Sequence, residues 1–199
     1  MSGGALAGTI VAMLVRGGDD DRAVAVSAAE AGADIAFATV SPGDEFPVAS
    51  IANEVWSLGR NQFVMALDAR DPTAVAAFAA RVEDELGPAN LLVVSTWLMS
   101  SAPFDELSAD EWLPVLEANL TLPYIAVEAF GRLMERAGRG AIAIVAPDRV
   151  KADAAERVAR SGLVSLVESA NGAWNSRGVR VRLVTNQVAA IFAAVGQDR

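Results

Sequence analysis

The sequence predicts an α/β fold in which helices cover both faces of a parallel sheet of about six strands. Short apolar runs, rich in valine, isoleucine and alanine, alternate with longer segments of helical periodicity along the chain. Most of these runs do not alternate between apolar and polar residues, which is typical of strands buried on both faces. A glycine precedes five of the runs, where the end of a helix favours a left-handed residue. This repeated order predicts a doubly wound sheet with right-handed crossovers.

The predicted strands follow one another from the amino terminus. The first lies at about residues 10–15, and no linker or repeat interrupts the pattern that follows. Residues 1–199 are therefore expected to form a single Rossmann-type domain with three layers, α/β/α. The five later strands occupy the runs ADIAFATV after Gly32, RNQFVMALD after Gly59, PANLLVVST after Gly87, AIAIVA after Gly140 and VRVRLVT after Gly178.

Capping residues mark where two of the helices begin. Asp71 stands directly before Pro72, a pattern typical of a helix start, and this helix is expected to continue to Leu86. Ser108 and Glu111 have the spacing of a capping box, in which each side chain accepts a hydrogen bond from the other residue's backbone N–H.

The capping box opens the longest helical pattern in the chain. It predicts a helix over about 109–137, kinked at Pro123 because proline lacks a backbone N–H. A further helix is predicted over about 153–175. Tyr124 has the spacing of a core residue on the first of these helices, and Lys151 follows the fifth strand, so the two are not expected to meet.

Composition narrows the chemistry open to the protein. The chain has a formal net charge of −9, which argues against nucleic acid or an anionic membrane as a partner. It contains no cysteine and no histidine, so we predict no disulfide, no thiolate nucleophile and no metal site. The apolar run 5–15 is too short to cross a bilayer and follows no cationic segment, which predicts a cytoplasmic location.

Four segments together cover nearly the whole chain: EAGADIAFATV, SLGRNQFVMALDARDP, FDELSADEWLPVLEANLTLPY and RSGLVSLVESANGAWNSRGVRVRLVTN. They resemble segments of the short-chain dehydrogenase/reductase family. In this resemblance Asp68 takes the position beside the adenine ring, and Asn119 falls on the family's structural and catalytic asparagine. The family transfers hydride between nicotinamide and an alcohol or carbonyl. The resemblance implies a phosphate-binding glycine turn, a tyrosine acid, a lysine that lowers the tyrosine pKa, and a serine.

The glycine turn departs from the family pattern T-G-x-x-x-G-x-G. Gly17 and Gly18 are present after the first strand, but the two later glycines of the pattern are not. Two like charges about 4 Å apart repel by roughly 4 kcal/mol at an effective dielectric constant near 20, so a carboxylate facing a pyrophosphate would weaken its binding. Alternatively, these carboxylates cap the following helix, at the place where the phosphate would bind. Arg16 and Arg22 partly offset the charge of three consecutive aspartates, Asp19, Asp20 and Asp21.

The adenine pocket also departs from the pattern. Where the family has N-N-A-G after the fourth strand, Trp97 replaces the glycine, and it either fills space that a coenzyme needs or serves as a core aromatic. Residues 39–41, after the second strand, offer neither an acid for a ribose hydroxyl nor an arginine for a 2′-phosphate.

The catalytic positions carry other residue types. The resemblance places Glu156 at the tyrosine, Arg160 at the lysine, and Ala146 or Pro147 at the serine. An ordinary glutamate is ionised at neutral pH, and an arginine does not give up its proton. We therefore predict a surface ion pair between Glu156 and Arg160, four residues apart on a helix, and no catalytic residue.

The resemblance also sets an expectation for the end of the fold. After the strand that ends near Thr185, the family has a mobile segment over the substrate and a further strand, which have no counterpart here. The predicted sheet is therefore truncated at its C-terminus. These departures together predict a non-catalytic protein that binds no coenzyme and acts as a dimeric scaffold or as the partner of an active paralogue.

The predicted dimer is a homodimer, or a heterodimer with the paralogue. It uses helices 109–137 and 153–175, which resemble the family's dimerisation surface. Two alternatives stay open: an oxidoreductase with an atypical NAD or NADP site, and a cofactor-independent lyase that uses Glu156 and Arg160. The second apolar or small-residue face of the two helices includes Leu113, Ile125, Val164 and Val167.

Overall fold

A six-stranded parallel sheet forms the centre of the computed structural model, which describes residues 4–41, 43–100, 102–147 and 153–193. The strand order is β3-β2-β1-β4-β5-β6, and every neighbouring pair is parallel. The predicted doubly wound, Rossmann-like sheet is confirmed. Its strands are β1 (Ile10–Val15), β2 (Asp34–Thr39), β3 (Gln62–Met65), β4 (Leu91–Ser95), β5 (Gly140–Val145) and β6 (Val179–Val184).

Helices connect the strands, and the two predicted caps are formed. Asp71 Oδ1 accepts a hydrogen bond from Thr73 N at 2.9 Å. Ser108 Oγ accepts from Glu111 N at 3.3 Å, and Glu111 Oε2 accepts from Ser108 N at 3.1 Å. The α-helices are α1 (Asp19–Glu30), α2 (Glu45–Ser57), α3 (Pro72–Glu85), α4 (Ala109–Leu116), α5 (Leu122–Ala137), α6 (Ala154–Trp174) and α7 (Val188–Phe192).

The core has two parts, one on each face of the sheet. Along β1, Ala12 and Leu14 pack on one face with residues of α3, α5 and α6. Val11, Met13 and Val15 pack on the other face with residues of α1, α2 and α7. Because both faces of the central strands are covered, a strand without polar alternation is what this sheet requires.

The sheet order creates a crevice at the carboxyl end of its central strands. β1 pairs with β2 on one side and with β4 on the other, so the connections that leave β1 and β4 run to opposite sides of the sheet. In sheets of this kind ligands bind outside the carboxyl ends of the strands at this point. The loops after β1 and β4 are therefore where a site is expected.

The predicted long helix is interrupted. A π-helical turn, Glu117–Thr121, separates α4 from α5, ahead of the kink that we placed at Pro123. Proline has no N–H, and its ring collides with the carbonyl of the residue four positions earlier, which here is Asn119. A π turn also adds one residue to the helix and rotates the following side chains relative to a continuous α-helix. Tyr124 is accordingly exposed rather than in the core.

Two further expectations need correction. Gly138, with φ +71°, ends α5 in the left-handed conformation, whereas Gly140 begins β5. A Cβ at Gly140 would lie 2.4 Å from the Met134 side chain, so the glycine lets α5 pack closely on the strand. Ile125 is buried in the core instead of lying on a second apolar face.

Among the described residues, none of the helices has both the length and the apolar composition needed to span a bilayer. The cytoplasmic location and the single domain over residues 1–199 stay predictions.

Candidate functional site

Two cavities lie at the carboxyl edge of the sheet, and Arg16 borders both. The larger has a volume of about 510 Å³ and is lined by the turn after β1, by the ends of β4 and β5, and by Asn186 after β6. The smaller has a volume of about 150 Å³ and is lined by residues that follow β2, β3 and β4 and by the segment from α4 to α5. The crevice that the fold predicts thus has two compartments, which share Arg16 as a lining residue.

The turn after β1 is closed by the side chain of Asp21. Gly17 has φ +84°, a left-handed conformation that favours glycine. Asp21 Oδ2 accepts hydrogen bonds from the backbone N–H groups of Arg16 (3.2 Å), Gly17 (2.9 Å) and Gly18 (3.1 Å). Only 5% of Asp21 is exposed. The carboxylate therefore provides the hydrogen-bond acceptor for the N–H groups of the turn, as the capping alternative predicted.

Burial raises the pKa of Asp21 above its ordinary value. Hydrogen bonds from the Ser95 side chain and from the three backbone N–H groups oppose this effect, because they favour the charged carboxylate. The negative charge is therefore costly at this position, and the N–H groups of the turn partly compensate it at the border of the larger cavity.

The neighbouring charges divide into paired and free groups. Asp19 and Asp20 are exposed at the border of the larger cavity, and Asp20 Oδ2 accepts from Asn186 Nδ2 at 2.7 Å. Arg22 lies 3.0 Å from Glu54 in an ion pair on the neighbouring helix, so it does not offset the aspartates as expected. Arg16 has no carboxylate within 4.0 Å anywhere in the part of the chain that the structure describes.

The loop after β4 is clamped to the π-helical turn. Asn119 is fully buried, and its Oδ1 accepts from Leu98 N at 2.6 Å while its Nδ2 donates to Leu98 O at 2.8 Å. Leu122 N donates to Glu117 O, five residues back, which leaves the carbonyl of Ala118 free to accept from Thr96 Oγ1 at 2.6 Å. These contacts give Asn119 a positioning role, because they fix the strand-end loop that borders both cavities.

The residues at the family's catalytic positions support the walls of the larger cavity. Glu156 is buried, and its carboxylate accepts from Ser100 N at 2.9 Å and from Trp97 Nε1 at 3.4 Å. Arg160 Nη1 donates to the carbonyl oxygens of Ala146 (3.0 Å) and Pro147 (3.3 Å). Within the described ranges Glu156 and Arg160 do not form the predicted ion pair, because each side chain turns toward a different loop.

Trp97 packs against the core, which is one of the two roles expected of it, whereas Asp68 lies away from both cavities. Trp97 borders the larger cavity and does not line the smaller one. Asp68 lies outside the lining of both cavities, where hydrogen bonds from Arg70 hold its pKa below the ordinary value. Arg70 itself borders the smaller cavity, a role that sequence reasoning missed because the residue follows β3 rather than β2.

Two other expectations fall on residues outside the described ranges. One is the prediction that Lys151 does not meet Tyr124, since Lys151 is not described. The other is the predicted truncation of the sheet, which lies near the segment 194–199.

Comparison with known proteins identifies the family. A family model described as enoyl-(acyl carrier protein) reductase matches residues 22–197. D-threitol dehydrogenase of Mycolicibacterium smegmatis is 32% identical over 127 residues, which are 62% of this chain and 49% of that protein. The chain thus spans about half the length of this curated relative.

Solved structures share the fold. The chain superposes on NAD⁺-bound xylitol dehydrogenase with a TM-score of 0.83 and 20% identity, covering 91% of this chain and 70% of that one. It superposes on a metagenomic short-chain oxidoreductase in complex with NADP with a TM-score of 0.81 and 24% identity, covering 97% and 93%.

These findings overturn two expectations from the sequence. The relative is named as a dehydrogenase, and both solved structures hold a nicotinamide coenzyme. The predictions of a non-catalytic scaffold and of a protein without a coenzyme are therefore wrong. In the structure Trp97 does not line the smaller cavity and so leaves it open, whereas Asp21 does occupy the N–H groups of the turn, as the capping alternative predicted. From its match over residues 22–197, the chain belongs to the short-chain dehydrogenase/reductase family.

Proposed function

We propose that the protein is a nicotinamide-dependent oxidoreductase that interconverts an alcohol and a carbonyl compound. The observation that carries this proposal is the two-compartment crevice at the carboxyl ends of β1 and β4, with Arg16 between its compartments. A dinucleotide binds across this point in doubly wound sheets. The family relationship and the dehydrogenase named among the relatives also support the proposal.

The residues of the crevice fit a dinucleotide. The larger cavity, about 510 Å³, falls within the usual range for small-molecule sites. A Cβ added to Gly18 would meet no atom within 4 Å, so the turn is open toward this cavity. The carboxylate of Asp21 accepts hydrogen bonds from the backbone of the turn, and the carboxylate of Asp20 accepts one from the Asn186 amide. Arg16 supplies a positive charge where a phosphate would lie.

The two compartments suit different parts of the coenzyme. Val40 and Leu122 offer apolar surface in the smaller cavity, and Ser41 and Arg70 offer polar groups beside it, as an adenosine requires. When bound, the coenzyme supplies the hydride acceptor or donor. Ser95 and Asn186 line the larger cavity and are placed to orient polar groups of a substrate.

The substrate end combines polar and apolar groups. Trp97, Met99 and Pro147 line the larger cavity and would exclude water from a bound alcohol. The relative and one solved structure are named for D-threitol and xylitol, which are acyclic sugar alcohols. We propose a substrate of this class.

The residues at the family's catalytic positions have structural contacts in this chain. Glu156 and Arg160 are positioning residues here, because Glu156 holds Trp97 and Ser100 while Arg160 holds the end of β5. Since both oxygens of Glu156 accept hydrogen bonds from the protein, the lyase alternative that relies on this carboxylate has less support.

Calorimetric titration of the full chain with NAD⁺, NADH, NADP⁺ and NADPH tests the proposal. We expect at least one of them to bind in the micromolar range, about −8 kcal/mol at 1 μM. A Gly18→Leu variant should abolish this binding, because its side chain fills the crevice. Gly172→Leu is the matched control, since Gly172 on α6 also has open space around a Cβ and lies away from both cavities.

Oxidation of sugar alcohols by the protein, followed through the nicotinamide absorbance, then tests the reaction. Failure of all four nucleotides to bind the wild-type protein would contradict the proposed function.

We also propose a dimer, either a homodimer or a heterodimer with a related chain, through α4, α5 and α6. In this structure α4 and α6 contact each other. Their surfaces expose Leu113 (61%) and Val164 (46%), and α5 exposes Tyr124 (54%). Exposed apolar side chains gathered on neighbouring helices favour an interface.

The double substitution Leu113→Glu with Val164→Glu is expected to convert the dimer to a monomer, because it places unpaired charges in the apolar contact. Sedimentation velocity at micromolar concentration measures the change. Phe46→Glu serves as the control, since Phe46 is 85% exposed but lies on α2. A wild-type protein that sediments as a monomer contradicts the homodimer.

A further inference from the structure

The N–H groups of the turn after β1 bind the carboxylate of Asp21, so a coenzyme phosphate needs another group to bind it. We propose that Arg16 is the side chain that binds the coenzyme's diphosphate, in place of the backbone N–H groups of the turn. This inference rests on the proposed function, since it assigns a residue to the binding of that coenzyme.

The backbone donors of the turn are already engaged. Phosphates bind at such turns because several N–H groups point toward them. Here the N–H groups of Arg16, Gly17 and Gly18 all donate to one oxygen of Asp21, at 2.9 to 3.2 Å. A phosphate would have to displace a carboxylate that is tethered three residues from Gly18 and buried, so these donors contribute little to its binding.

The guanidinium of Arg16 is positioned and has unused donors. Its Nε donates to the Thr96 carbonyl at 3.1 Å, which anchors the side chain at the end of β4. Neither terminal nitrogen has a hydrogen-bond or carboxylate partner among the residues that the structure describes. A guanidinium that keeps two such donors can bind a phosphate in a bidentate manner.

The other nearby arginines are less suited to this role. Arg22 is paired with Glu54 at 3.0 Å. Arg70 borders only the smaller cavity, where its guanidinium is held by Asp68 and lies 3.7 Å from Glu117. Arg16 alone borders both cavities among the described residues, at the junction where the diphosphate of an extended dinucleotide would lie. Although Asp19, Asp20 and Asp21 line the larger cavity, no carboxylate of the described residues lies within 4.0 Å of its guanidinium.

The test uses binding rather than activity. Titrations with the most tightly bound nicotinamide nucleotide, with ADP and with adenosine compare wild type with Arg16→Gln. A charge-assisted hydrogen bond to phosphate is expected to be worth about 10- to 100-fold in affinity. Arg16→Gln should therefore weaken the nucleotide and ADP by about this factor and leave adenosine unchanged, whereas Arg16→Lys should lose less because it keeps the charge. Arg22→Gln is the matched control and should bind all three ligands as wild type does.

A second variant examines the competing carboxylate. Asp21→Gly frees the backbone donors, so it should raise the affinity for ADP and reduce the loss caused by Arg16→Gln in the double variant. Circular dichroism of each variant verifies that it is folded.

The outcomes separate the two proposals. If the wild-type protein binds no nucleotide, the proposed function fails. If wild type binds but Arg16→Gln binds ADP equally well, or weakens adenosine as much as ADP, the assignment of Arg16 is overturned while the proposed function stands.

Discussion

Replacing Phe130 with alanine is expected to lower the free energy of unfolding by about 3–5 kcal/mol. Phe130 lies on α5 with none of its side chain exposed. Its ring centroid is 5.8 Å from that of Phe78 on α3, at an interplanar angle of 60°, and Phe78 in turn meets Phe63 edge to face at 6.0 Å. The substitution removes the ring that joins α5 to α3 beneath the sheet and leaves a cavity that neighbouring residues fill only in part.

Urea denaturation followed by circular dichroism measures the loss. Phe46→Ala is the matched control, because Phe46 is 85% exposed on α2 and should change the free energy of unfolding by no more than about 0.5 kcal/mol. A loss below about 1 kcal/mol for Phe130→Ala would contradict the packing described above, since a fully buried aromatic ring cannot be removed that cheaply.

The sheet could be predicted because its signal is local in sequence and repeated. Runs such as ADIAFATV must be apolar on both sides if helices cover both faces, and Ala36 and Ala38 do pack on the face opposite Ile35 and Phe37. The capping residues Asp71 and Ser108 also act within three residues of their partners. Short-range requirements of this kind can be recognised in the sequence without knowledge of the tertiary structure.

The interruption between α4 and α5 could be predicted only in part from the sequence. Pro123 marks a place where an α-helix loses one hydrogen bond, but the position and type of the irregularity depend on partners far away in sequence. Thr96, for example, donates to Ala118, 22 residues later. Only the tertiary structure brings this hydroxyl to the carbonyl that the π turn leaves free.

The site was predicted less well for a related reason. A residue type at a family position does not say where its side chain points. Asp21 turns inward onto three N–H groups, Trp97 turns toward Glu156, and Arg70 reaches the smaller cavity from a different strand. The expectation that the aspartates would repel a phosphate assumed that all three face it. Asp21 instead binds three backbone N–H groups of the turn, whereas Asp19 and Asp20 are exposed at the border of the larger cavity.

Asn119→Ala is expected to lower the free energy of unfolding by about 2–4 kcal/mol, because it leaves two backbone groups of a partly buried loop without partners. Leu98 N and Leu98 O both depend on the Asn119 amide, at 2.6 and 2.8 Å. The same change should weaken nicotinamide nucleotide binding about tenfold, about 1.4 kcal/mol, since Leu98 and Trp97 border the smaller and larger cavities and move when the clamp is lost.

Asn171 provides a matched control for this prediction. Its amide makes the same pair of hydrogen bonds to a backbone, accepting from Val181 N at 2.9 Å and donating to Val181 O at 2.8 Å. It ties α6 to β6, away from the two cavities. Asn171→Ala should therefore destabilise the protein in urea denaturation but leave nucleotide binding unchanged in calorimetry. If both variants lose stability and neither loses affinity, Asn119 supports the fold alone, and the loop after β4 does not shape the coenzyme site.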